Sequence, residues 1–292
     1  MSDPSPRPAV RATAVVLLVA RLSVREAVGA RALRGLALLT AVVLGLFALA
    51  SAQGLDAARA APGTLTEDLV GSTLLGTAAF AALLLGSVVA VFLAHGAVRG
   101  DAERGLLQPL LVRPVGRGAV LLGRLLGAVA PAAGFTAILW LAAVAIVRVA
   151  GGWPPDAWVG PGLGLVAAVV LVAITATALS TVLPALGTGI VTLALVGLGF
   201  TVGLLAQLAA SLDLQALTRT ADAVALALPF EALYRHVLFL LGAEVGDLSQ
   251  FGIAAGPFGG AREASGWYAV WVPGWALVVG SLAVCRARRL DL

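Results

Sequence analysis

Residues 71–94 read Gly-Ser-Thr-Leu-Leu-Gly-Thr-Ala-Ala-Phe-Ala-Ala-Leu-Leu-Leu-Gly-Ser-Val-Val-Ala-Val-Phe-Leu-Ala, a run without a single charged residue. A helix needs about 20 such residues to cross the hydrocarbon of a bilayer. Five further runs have the same character, at 35–52, 125–147, 160–186, 187–210 and 268–285. Backbone groups in lipid must bond within their own segment, so these runs predict six transmembrane helices rather than strands. Composition agrees, since 60% hydrophobic residues, 12% charged residues and a mean hydropathy of +1.02 lie far from the balance of a soluble domain. The expected fold class is all-α, a polytopic membrane protein whose residues 1–292 form one domain.

Orientation follows from the arginines. The chain has no lysine, so its 19 basic residues are all arginine. With the N-terminus in the cytoplasm, six crossings return the C-terminus there. Six arginines up to Arg34, five from Arg99 to Arg124 and three from Arg286 onward then face inward. Arg59, Arg148, Arg219, Arg235 and Arg262 fall outside, among ten acids. The positive-inside rule selects this N-in/C-in arrangement. The pI of 10.5 therefore requires no nucleic acid, because the basic charge faces the anionic inner leaflet or a cytoplasmic partner. A multi-pass protein of the cell membrane is expected, with Trp153, Trp158 and Trp267 at the outer ends of spans.

Ahead of the first span, residues 13–34 predict an interfacial helix, with Leu18 and Leu22 on one face and Arg21 and Arg25 on another. The apolar core before Arg21 is too short for a typical cleaved signal peptide.

The six runs contain no ionisable side chain of the kind that ion-coupled carriers keep within the bilayer. His95 falls at the inner end of the second span, His236 in the last outer loop, and Cys285 is the only cysteine, so no metal site and no bound cofactor is expected. The chain carries neither H-E-x-x-H nor G-x-S-x-G, and a phosphate-binding P-loop needs the lysine it lacks. It is not expected to be an enzyme by itself. Energy for uphill movement must come from another polypeptide.

The loop at 98–118 is the candidate contact with that polypeptide. Its centre, residues 101–117, reads Asp-Ala-Glu-Arg-Gly-Leu-Leu-Gln-Pro-Leu-Leu-Val-Arg-Pro-Val-Gly-Arg. Leu106 and Leu110 are four apart, as are Leu107 and Leu111, so a short helix there presents one apolar face. Pro109 either lies in the first turn of that helix or splits it.

This segment, followed by Leu121-Leu-Gly-Arg-Leu-Leu-Gly127, resembles the permease subunits of ABC-2 type transporters, in particular the group similar to the nitrous-oxide-reductase maturation permease. The six-span layout, the basic leader and the arginine-rich tail are similar as well. The resemblance implies two permease subunits, identical or related, joined to two cytoplasmic ABC ATPase subunits that bind the ATP and Mg. It further implies that the loop helix sits in a groove of the ATPase. Glu103 and Arg104, with Asp101 beside them, would make polar contacts, and Leu106, Leu107 and Leu110 would be the apolar anchor. Gly105 would allow close backbone approach, and Pro114 with Arg117 would form the bend into the third span. Gly199 and Gly203 form a G-x-x-x-G that permits close helix approach and is a candidate dimer contact. In the resembled permeases the outer connection, here 211–266, looks like a pair of re-entrant or surface helices; residues 229–241 as a truncated seventh crossing is the alternative.

The function expected is the permease half of an ATP-driven transporter, an exporter of unidentified substrate. The alternative is a membrane anchor or assembly factor that recruits a cytoplasmic partner without transport. Purified alone in liposomes, the chain is expected to be inert toward nucleotide; uphill flux without an ATPase, measured with a trapped substrate panel, would overturn the division of labour.

Overall fold

The structure, a computed structural model, describes residues 12–29, 31–60, 67–94, 117–153, 155, 157–212, 214–242 and 260–289. Every regular element among them is an α-helix. In chain order α1 is Ala12–Gly29, α2 Arg31–Ala60, α3 Glu67–Ala94, α4 Arg117–Val149 and α5 Val159–Leu179. They are followed by α6 at Ala185–Ser211, α7 at Gln215–Ala227, α8 at Pro229–Gly242 and α9 at Tyr268–Arg289. Six helices, α2 to α6 and α9, are long and apolar enough to cross a membrane, consistent with a polytopic membrane protein.

Burial sorts these six into an inner and an outer set. In α3 and α5, 61% and 50% of the apolar window is buried, against 6% in both α2 and α9. On α2 the side chains of Leu38, Leu39, Val42, Leu46 and Leu49 remain exposed. Water does not tolerate so continuous an apolar stripe, whereas hydrocarbon matches it. Several polar side chains inside the spans are satisfied locally, although the buried Ser87 hydroxyl of α3 has no hydrogen-bond partner among the described residues. Thr40, Ser51, Thr136, Thr175, Thr177 and Thr192 each donate to the carbonyl four residues earlier, so no hydroxyl donor among these is left without an acceptor.

Three boundaries differ from the sequence reading. The run 160–186 is not one helix: α5 stops at Leu179 and α6 starts at Ala185. Pro184 caps α6 in an extended conformation. Proline has no N–H and keeps the preceding residue out of the helical region, so it separates the spans even though hydropathy does not fall there. The helix that carries the third run begins at Arg117, ahead of the apolar run at 125, so Arg117 and Arg124 lie on its first turns. The leader helix ends at Gly29, and residues 31–34 open α2 instead.

α1 rests on the start of α4. A Cβ at Gly123 would meet Val19 and the Val16 carbonyl, and one at Gly127 would meet Ser23. Leu17, Leu18 and Leu22 stay exposed on α1, so its small side chains serve the α4 contact while its leucines remain free for lipid.

The centre of the bundle depends on similarly close contacts. A Cβ on Gly162 would stand 2.6 Å from Cδ1 of Trp140, a fully buried ring. Gly162→Leu is expected to destabilise the protein by about 1–3 kcal/mol through overpacking, read as a lower Tm in detergent. Gly134→Leu, at a position with nothing within 4 Å, is expected not to lower it.

Candidate functional site

The loop that the sequence singles out lies mostly outside the described residues, and Asp101, Glu103, Arg104, Gly105, Leu106, Leu107, Leu110 and Pro114 are all among those not described. Only its end is placed, with Arg117 as the first residue of α4. What the structure does place is a second feature, the α7–α8 hairpin between the fifth and sixth candidate spans.

The hairpin breaks at Leu228. Pro229 opens α8, where its missing N–H is no loss, and the two helices meet at 105°. Two indoles of α9 hold the break: Trp271 Nε1 donates to the Leu226 carbonyl at 3.2 Å and Trp275 Nε1 to the Ala227 carbonyl at 3.1 Å. Those oxygens lie at the C-terminus of α7, where helix carbonyls lack partners of their own.

α8 then fits into notches that glycines leave in three spans. A Cβ on Gly164 of α5 would stand 2.6 Å from Val237, and one on Gly76 of α3 would stand 3.6 Å from Leu238. On α6, a Cβ on Gly199 would stand 3.2 Å from both Phe230 and Glu231, and Gly203 faces the Glu231 carboxylate. The close approach that the G-x-x-x-G spacing permits is thus made within the chain, to α8. Any contact of α6 with a second subunit has to use its other faces. Gly203 lies eight residues before the end of α6 at Ser211, about 12 Å along the axis at ~1.5 Å per residue. The start of α8 therefore reaches well below the end of that helix. Tyr234 joins Phe80 of α3 and Phe200 of α6 in an aromatic cluster, with ring centroids 5.2 to 6.4 Å apart.

This insertion carries charge into the bundle. The six spans contain no carboxylate of their own in the expected runs, but the hairpin supplies Glu231, whose side chain is 5% exposed. Arg235, one turn on and 11% exposed, lies 3.7 Å from it. Arg235 Nε also donates to the Gly260 carbonyl at 3.0 Å. The segment that leads into α9 is fastened to α8 as well: Arg262 N donates to the Arg235 carbonyl at 3.2 Å, and Ala264 N donates to His236 Nδ1 at 3.2 Å. Arg262 reaches across to Asp222 of α7 at 2.6 Å. Glu231 lies in the hairpin, outside the six spans.

Between the hairpin and this segment is a cavity of about 290 Å³, lined in part by Asp222, Glu231, Arg235, Arg262 and Trp267. Sequence reading names none of these as site residues. The available signal was the Leu228–Pro229 break between two amphipathic stretches, with a carboxylate in the first turn after it and an arginine four residues on. Among the described residues, no three His, Cys, Asp or Glu side chains gather as a metal set.

Comparison with protein-family models gives no match, and comparison with curated proteins gives none either.

Removing one partner of a buried ion pair strands the other. Arg235→Met is expected to destabilise the protein by about 3–5 kcal/mol in denaturant titration, and adding Glu231→Gln is expected to recover most of that loss. If the double variant is as unstable as the single one, the contact of Arg235 with Gly260 matters more than the ion pair.

Proposed function

We propose that the chain is the membrane-spanning permease subunit of an ATP-binding cassette transporter of the ABC-2 type. It works as an exporter, N-in/C-in in the cell membrane, paired with a second permease subunit. ATP and Mg are bound by a separate cytoplasmic ATPase. The observation that carries this reading is the α7–α8 hairpin broken at Leu228 and set between the last two candidate spans. A pair of re-entrant or surface helices at this point in the chain is what the resemblance at residues 101–127 implies.

The inner-side geometry supports the same reading. α3 and α4 flank the 98–118 loop, and they touch closely where Gly86 faces Thr136. A force applied to the loop would move the two helices as a pair. ATP-dependent closure of the ATPase would then bias a two-state element that spans the bilayer. In this scheme Asp101, Glu103 and Arg104 contact the ATPase through polar groups, and Leu106, Leu107 and Leu110 anchor the loop. Gly105 allows close approach, and Pro114 and Arg117 set the bend into α4. The exposed faces of α2 and α6 are where a second permease subunit would lie.

Replacing Leu106, Leu107 and Leu110 together with Asp is expected to abolish copurification with an ATPase encoded beside this chain, without changing the chain's own Tm. Undiminished copurification would remove the anchor assignment. ATP hydrolysis indifferent to the presence of this chain would favour the anchor or assembly reading over transport.

A further inference from the structure

Among the described residues, the charges lining the hairpin cavity do not cancel: Asp222, Glu231 and Glu263 stand against Arg235 and Arg262, three acids to two bases. Arg262 is engaged by Asp222 at 2.6 Å. The Glu231–Arg235 contact, at 3.7 Å, is longer than a hydrogen bond. Glu231 is therefore a nearly buried carboxylate on a cavity wall, paired with Arg235 by charge without a hydrogen bond between them, an arrangement in which a further positive group offsets lost hydration.

The rest of the lining narrows the kind of positive group. Trp267 forms part of the wall, with its ring 4.7 Å from Tyr268 and 5.8 Å from Trp271. An aromatic ring and a carboxylate lining one cavity favour organic cations, which are weakly hydrated and attracted by the ring quadrupole. The acids are not grouped as a metal set among the described residues. The volume of about 290 Å³ lies at the lower end of small-molecule sites, which begin at about 300 Å³. It accommodates a headgroup rather than a whole amphiphile.

We propose that this cavity binds an organic ammonium group, with the Glu231 carboxylate as its counter-ion and the Trp267 ring as its cation–π face. Binding belongs to the chain itself and does not depend on the transport reading.

The test uses the full-length protein in dodecyl maltoside, titrated by calorimetry with three probes. Tetraethylammonium represents a free cation, short-chain phosphatidylethanolamine an ammonium-bearing lipid, and short-chain phosphatidylglycerol a lipid without ammonium. At least one ammonium probe is expected to bind saturably, and which of the two does so tells a free ligand from a lipid headgroup. Glu231→Gln and Trp267→Ala are each expected to weaken that binding about tenfold. Trp267 is 48% exposed, so its replacement keeps the proposal decidable even if the Glu231 variant fails to fold. Three results would overturn it: no saturable binding of either ammonium probe, phosphatidylglycerol binding as tightly, or ammonium affinity unchanged in Trp267→Ala.

Discussion

Close backbone approach at glycine is the constraint on which this bundle depends. Lipid supplies no hydrophobic force between spans, so helices gain by van der Waals contact at short range and by hydrogen bonds. α8, only 14 residues long, cannot cross a bilayer, yet it buries Phe230, Tyr234, Val237, Leu238 and Leu241. It does so because Gly76, Gly164, Gly199 and Gly203 leave room on the three helices around it. The same device seats α1 on α4 at Gly123 and Gly127. Glycine in these helices thus gives up some helix propensity and gains contact.

Hydrogen bonding completes what close contact begins. Most threonine and serine hydroxyls bond back to their own helices, while Trp271, Trp275 and Arg235 donate to backbone carbonyls in the connection between α6 and α9. The α6–α9 connection is therefore held by backbone acceptors, and its one close side-chain ion pair among the described residues is Arg262 with Asp222.

Hydropathy alone located the six long helices, because a crossing segment must be apolar over most of its length whatever it touches. That signal is blind to a turn made by sterics, so the join between α5 and α6 was set at Gly187 instead of at Pro184. It is equally blind to depth: a charged, short segment such as 229–241 reads as peripheral, although neighbouring glycines allow it inward. Glu231 and Arg235 argued against a crossing, and that argument holds for lipid contact; it does not hold for a helix shielded by α3, α5 and α6. The G-x-x-x-G at Gly199 and Gly203 announced a tight contact without saying with which helix, since spacing carries no information about the partner.

The indole latch on the hairpin has a consequence for how this chain can vary. Its acceptors are the carbonyls of Leu226 and Ala227, and every amino acid presents the same carbonyl. Side chains at those two positions are thus free to drift without loosening the latch, whose donors are the two tryptophans of α9. Sequence comparison across diverged copies would find invariance on α9 facing tolerance at the tip, an asymmetry that looks like an unpaired motif until the main chain is drawn in.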